Sequence, residues 1–158
     1  MSQPNTVESW LQFNLQLLID DNESPVGFMS GRVDGMPDRT PQRWQLAVDM
    51  IYRCIVSGLI QIATPQYRDD RDAFFHVLRT FDPYVDDDGI LLWHGGQLSP
   101  TEALIAMVGK YFPTTGHYER TVNPAFIQEL KDIFAAHGVP WSDAPLLPIV
   151  TGEDSARA

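Results

Sequence analysis

Polar and apolar positions follow helical spacing most clearly between residues 40 and 63, TPQRWQLAVDMIYRCIVSGLIQIA. Thr40 can accept a bond from a free N–H of the first turn, and Pro41 lacks an N–H that would have no partner there. Gly58 can take the left-handed conformation that closes a helix. Gln42, Gln45, Asp49 and Arg53 fall on one narrow stripe at three- and four-residue spacing. Trp44, Leu46, Ala47, Val48, Met50, Ile51, Tyr52, Cys54, Ile55 and Val56 cover the rest. A surface helix shows a wider polar face. This helix is therefore expected to be packed on most sides, with only the stripe in water. Asp49 and Arg53, four residues apart, read as an ion pair along it.

Residues 10–19 fit two periods. Leu11, Phe13, Leu15 and Leu17 alternate with Gln12, Asn14 and Gln16 as in a strand, while Trp10, Leu11, Leu15, Leu18 and Ile19 line one helical face. Length and a capping Thr6 favour the helix. Residues 20–39 are rich in Gly, Pro, Asp, Asn and Ser and read as loop, with room for one short strand at 26–29. Residues 59–63 read as a strand. A helix over 69–80 presents Ala73, Phe74, Val77, Leu78 and Phe81, with Asp69, Asp70 and Asp72 in its first turn, where the helix dipole favours them. Asp86, Asp87, Asp88 and Gly89 read as a turn into a second strand, 90–93, paired with 59–63.

Ser99-Pro100-Thr101-Glu102 has the form of a capping box, opening a helix to about residue 112 with Leu104, Ile105, Val108, Tyr111 and Phe112 inward. Asn123-Pro124 opens another, carrying Phe126, Ile127, Leu130, Ile133 and Phe134 and stopping at Gly138. The tail, with Pro140, Pro145 and Pro148, cannot be helical. Its Trp141, Leu146, Leu147, Ile149 and Val150 suggest that it lies back on the body. The expected fold class is α+β: a mostly helical single domain, residues 1–158, with a small antiparallel sheet packed on a central buried helix. Residues 1–5 and 151–158 are expected to fray.

Charge changes this picture most. Lys plus Arg is 11 and Asp plus Glu is 21, for a formal net charge of −10. Such a surface repels nucleic-acid phosphates and anionic membrane, so neither is an expected partner, and a basic protein is. No apolar run approaches the ~20 residues of a bilayer-spanning helix, and no secretory signal is visible at the start. The single cysteine, Cys54, reads as a small buried hydrophobe in a reducing cytoplasm.

Candidate chemistry is sparse. His76, His94, His117 and His137 make no H-x-x-x-H pair, so no metal site is expected. Treating 86–89 as a calcium loop with Gly89 sixth puts Tyr84 first and Gly95 last, and both fail as ligands. G-x-S-x-G and the phosphate-loop patterns are absent, no cofactor is implied, and no catalytic residue is assigned. His94-Gly95-Gly96 reads as a tight turn. A small enzyme with a pocket there and at His117 is one alternative reading. A winged-helix-like regulator built on the central helix is another.

Residues 11–62, LQFNLQLLIDDNESPVGFMSGRVDGMPDRTPQRWQLAVDMIYRCIVSGLIQI, together with the acidic balance, resemble bacterial toxin-immunity proteins of the contact-dependent growth inhibition type. The resemblance implies a cytoplasmic protein that blocks a cognate toxin domain, often a basic nuclease, by stoichiometric binding. The residues expected to meet such a partner are the acidic clusters Asp20, Asp21 and Glu23; Asp69, Asp70 and Asp72; and Asp86, Asp87 and Asp88. A negative face opposite a positive active site speeds encounter by ~10- to 1000-fold at low salt. Tyr67, Tyr84 and Trp93 are candidate aromatic anchors.

Overall fold

In a computed structural model the described residues are 4–114 and 116–151. Helix α1 (Val7–Asp20) is followed by a 3-10 turn (Pro25–Met29) and the central helix α2 (Pro41–Val56). Strand β1 (Ile60–Ile62), helices α3 (Arg71–Thr80) and α4 (Asp87–Gly95), and strand β2 (Leu98–Pro100) come next. Helices α5 (Glu102–Tyr111) and α6 (Pro124–Ala136) complete the order. The molecule is thus mostly helical, with one small antiparallel sheet in which Ile60 faces Pro100 and Ile62 faces Leu98.

The local signals act where they stand at helix ends. Thr6 accepts from Ser9 N and Ser9 returns the bond, closing a capping box on α1. Thr40 accepts from Arg43 N at 3.2 Å, and Pro41 opens α2. Gly58 sits at φ +77°, the left-handed region that ends a helix without a Cβ penalty. Asn123 caps α6 by accepting from Ala125 N and Phe126 N. Residues 10–19 are helical because α1 buries Trp10, Leu11, Leu15 and Leu18 along one face.

The core gathers around α2. Ala47, Val48, Ile51 and Cys54 are fully buried and meet Leu11, Leu15, Phe74, Leu78, Trp93, Phe126 and Phe134 in one continuous cluster. Each such side chain contributes ~1.5–3 kcal/mol on leaving water. The Trp44 indole N–H donates to Leu78 O at 2.9 Å and ties α2 to α3. Burial pushes the Cys54 thiol up to about 12, in keeping with an inert packing role.

Five expectations are overturned. Residues 90–93 are not a strand: they lie in α4, with Gly89, Leu92 and Trp93 inward and Leu91 72% exposed. That is a helical, not an alternating, burial pattern, and four apolar residues are too few to separate the two periods. Close packing at Gly89 fixes the helix, since a Cβ there would stand 2.5 Å from Asp82 O. The strand partner of β1 is instead Leu98–Pro100, so Ser99 and Pro100 belong to the sheet. Thr101 is the residue that caps α5, accepting from Leu104 N. Ile105, expected inward, is 45% exposed. Residues 26–29 form the 3-10 turn rather than a strand, Pro25 having set its first position.

A further correction concerns the polar stripe of α2, of which only Gln42 is exposed. The tail does lie back on the body, and it runs along this stripe. Gln45 Nε2 donates to Leu147 O at 3.0 Å, and its Oε1 accepts from Ile149 N at 2.9 Å. Asp49 Oδ1 accepts from Leu146 N and Leu147 N at 3.2 and 3.0 Å. Arg53 donates to Pro140 O through Nε and Nη2 at 3.1 and 3.0 Å. Asp49 and Arg53 are 7% and 1% exposed. They feel each other's charge, yet no ion pair within 4 Å joins them among the described residues. Backbone of the tail, which has no strand or helix of its own, has taken both.

The same device holds a second irregular segment. Gln12 Nε2 donates to Glu119 O and Thr121 O at 3.0 and 2.9 Å, and its Oε1 accepts from Asn123 N. Gln16 exchanges bonds with the backbone of Glu119 in both directions. The glutamines that made α1 look like a strand are therefore buried and hold the entry to α6.

Candidate functional site

The three acidic clusters stand at three helix ends, and the structure treats them differently. Asp20 and Asp21 are exposed at the C-terminus of α1. The Tyr118 hydroxyl donates to Asp20 in a short hydrogen bond, which raises the phenol above its ordinary value. Glu23 leaves this cluster. Its backbone pairs with Leu98 in an antiparallel bridge, and its carboxyl is half-buried, with Oε2 unpartnered. Burial first, then the neighbouring Asp21, pushes it up to about 7. It thus stands apart from the exposed Asp20 and Asp21 with which the sequence groups it.

Asp69, Asp70 and Asp72 are exposed around the start of α3. Asp70 is the cap, accepting from Ala73 N at 3.1 Å, so one of the three is committed to its helix. Asp87 and Asp88 are exposed in the first turn of α4. Asp86 is half-buried, and its Oδ2 accepts from Asp82 N at 2.7 Å, which closes the turn before α4. The free carboxylates of these two clusters are thus Asp69, Asp72, Asp87 and Asp88.

Close in the chain to Asp87 and Asp88 stand three exposed large hydrophobic residues. Val85 is 73% exposed and Leu91 72%, with Ile90 at 38% between them. A groove lined by Tyr67, Val77, Phe81, Asp88, Leu91 and Leu92 runs between α3 and α4. Sequence reading assigned 90–93 to a buried strand and so missed this face. The signal that finds it is the run Val85-Asp86-Asp87-Asp88-Gly89-Ile90-Leu91: three carboxylates at a helix N-terminus followed by more apolar residues than one buried face needs.

Of the candidate anchors, Trp93 is fully buried and is withdrawn. Tyr67 lines the groove and packs edge-on against Phe74 at 5.8 Å. Tyr84 lies under the Arg39 guanidinium, 5.2 Å from the ring centre. Burial of Tyr84 is the largest cause holding its hydroxyl above the ordinary value.

The residues of the two alternative readings fall apart in space. His94, Gly95 and Gly96 form the end of α4 rather than a turn before a cap. Gly95 and Gly96 line the α3–α4 groove, whereas His117 lines a different hollow with Phe112, Pro113 and Gly116. Helix α2, the candidate recognition helix, has Gln45, Asp49 and Arg53 covered by the tail, which leaves Gln42 as the exposed member of its polar stripe. Among the described residues no group of three His, Cys, Asp or Glu is placed to hold a metal ion. No helix among them is long and apolar enough to cross a membrane. No family model, characterised protein or solved structure matches the chain.

Proposed function

We propose that this chain is an immunity-type binding protein, not an enzyme, that acts in the cytoplasm on a basic toxin domain and occludes its active site. The observation that carries the reading is the α4 face, where exposed Val85 and Leu91 stand beside Asp87 and Asp88 on a chain of net charge −10. Apolar anchors inside a charged rim are what a tight protein interface needs: the anchors slow dissociation, and the rim steers encounter. Asp69 and Asp72 extend the negative potential along α3, and Asp20 and Asp21 add to the long-range field. The resemblance of residues 11–62 to immunity proteins supplies the biological setting.

The test uses a basic nuclease toxin domain, taken from a neighbouring gene where that gene encodes one, with association and dissociation rates measured at two salt concentrations. Asp87→Asn with Asp88→Asn is expected to lower the association rate about tenfold at low salt. Leu91→Ser is expected to raise the dissociation rate about tenfold. Asp20→Asn with Asp21→Asn, away from the face, is expected to change the association rate less than threefold, or about that. Binding of both α4 variants at parental rates would remove this face. A neighbouring gene that encodes no secreted toxin, together with no binding to a basic nuclease domain, would remove the class.

A further inference from the structure

A second feature lies away from the α4 face and does not depend on it. A cleft of about 570 Å³ opens beside α1, lined by Trp10, Phe13, Leu17, Glu23, Arg32 and Arg120. Its size is that of a small-molecule site. We propose that this cleft binds a small zwitterion of the amino-acid class, with a cationic nitrogen on the Glu23 carboxylate and a carboxylate at Arg32 and Arg120.

Glu23 carries the first half of the argument. Its backbone is fixed by the bridge to Leu98, with N–H···O distances of 3.1 and 2.8 Å. Its side chain rests against the 3-10 turn, where a Cβ on Gly27 would stand 2.9 Å from Glu23 Oε2. That oxygen is shielded from solvent and has no hydrogen-bond donor. A buried acceptor without a donor is costly in a folded chain and uncommon, so it calls for a specific explanation. Glu23 lines the cleft, so a ligand ammonium or guanidinium seated there would bring the missing positive charge to this carboxyl, and a small turn of the side chain would give its oxygen a donor.

The arginines carry the second half. The chain has 11 basic residues against 21 acidic ones, yet two arginines stand on this one cleft. Arg120 lies over the Phe13 ring at 4.2 Å, and Arg32 makes a loose 3.6 Å contact with exposed Asp34. Arginine binds carboxylates in two-pronged fashion and does so best when its plane is held by an aromatic ring. A simple amine would be repelled by this pair, and a simple anion would face Glu23. Only a molecule with both charges satisfies both ends. Trp10, Phe13 and Leu17 give an apolar wall for the stem between them.

Arg43 positions the floor. It is fully buried, its guanidinium lies 4.9 Å from the Trp10 ring, and its Nη2 donates to Ser30 O and Gly31 O at 2.8 Å each. The Trp10 indole N–H donates to the same Ser30 carbonyl at 3.0 Å. The loop that carries Arg32 is thereby fastened to α1.

The test is isothermal titration calorimetry of the full chain with L-arginine, L-lysine, glycyl-L-arginine, agmatine, hexanoate and guanosine monophosphate. Arginine or lysine is expected to bind, at least tenfold tighter than agmatine, which lacks the carboxylate, or hexanoate, which lacks the cation. Tighter binding of the dipeptide than of free arginine would identify a peptide C-terminus as the source of the zwitterion. Glu23→Gln is expected to weaken binding at least tenfold while leaving the melting temperature unchanged or higher. Arg32→Ala with Arg120→Ala is expected to weaken it as much. Gly27→Ala, which keeps the carboxyl but displaces it, is expected to weaken it less. Affinity of the parent should rise with pH through about 7, as Glu23 ionises, and this rise should vanish in Glu23→Gln. No binding of any zwitterion, parental affinity in Glu23→Gln, or preferential binding of the nucleotide or hexanoate would each overturn the proposal.

Discussion

Helix α2 and the cleft beside α1 both bury charged side chains, and they leave them in opposite condition. Along α2, Gln45, Asp49 and Arg53 meet the backbone of the tail, and none of them keeps a buried polar atom without a partner. At the cleft, Glu23 Oε2 has no partner, and behind it, in the first turn of α2, Nε and Nη1 of Arg43 have no hydrogen bond either. Desolvation weighs on both places: it raises Asp49 and lowers Arg53 from their ordinary values, as it raises Glu23 and lowers Arg43. Burial alone therefore does not distinguish a structural polar group from a functional one. What distinguishes them is saturation. A saturated seam holds two pieces of chain together; an unsaturated wall has capacity left for something else.

Breaking the seam should produce the largest effect. Arg53→Ala removes a buried side chain together with its bonds to Pro140 and Ser142, so it should cost about 2–4 kcal/mol in urea unfolding. Limited proteolysis of the same variant should cut the tail first. Asp49→Ala strands two N–H groups and should cost about 2–3 kcal/mol, whereas Asp49→Asn, which keeps an acceptor oxygen, should cost less than about 1. Equal costs for the two Asp49 variants would mean that charge, not acceptance, holds the tail.

At the cleft the sign should reverse. The folded chain holds the Glu23 proton to about 7, against 4.5 for the ordinary group, so folding favours the protonated form. Stability is complete below the lower value, falls as pH rises between the two, and stays reduced above. Glu23→Gln removes that loss. It should stabilise the protein by about 1–2 kcal/mol above pH ~7 and change little below pH ~4, the carboxyl's remaining contact with solvent keeping the gain below the full shift. Denaturant midpoints across pH measure this. A loss of stability at alkaline pH in this variant would place Glu23 among the saturated groups. The smallest effect belongs to Leu91→Ser on the α4 face, expected within about 0.5 kcal/mol of the parent, because that side chain is already mostly in water.

The parts of the fold legible in the sequence were those with a local cause. Thr40, Pro41 and Gly58 bound α2, Asn123 and Gly138 bound α6, and each signal acts through its own backbone neighbours. The parts that escaped depend on distant chain. Nothing near Asp49 in sequence announces that residues 146 and 147 will bond to it, so an amphipathic reading put the stripe in water. Nothing near Leu91 shows that helix α4 has only one side to pack, and four apolar residues fit a strand equally well. Glu23 looked like one more acid in a polar loop, until the bridge to Leu98 turned it against Gly27. The exposed acids of the other two clusters were legible as acids, but Asp70 and Asp86 proved to be occupied in shaping the chain.

The tail's attachment also has a bearing on when the molecule becomes whole. Its bonds to Gln45 and Asp49 join residues 97 to 104 positions apart, so α2 must already be standing before they can form. They are made to main-chain atoms at residues 146, 147 and 149, which any amino acid except proline presents alike. Those hydrogen bonds are thus indifferent to the identity of the side chains there, whereas the packing of Leu146, Leu147 and Ile149 on the core asks only that they be apolar. Exchange of one apolar residue for another in that stretch should be tolerated more readily than any change at Gln45 or Asp49 on the helix.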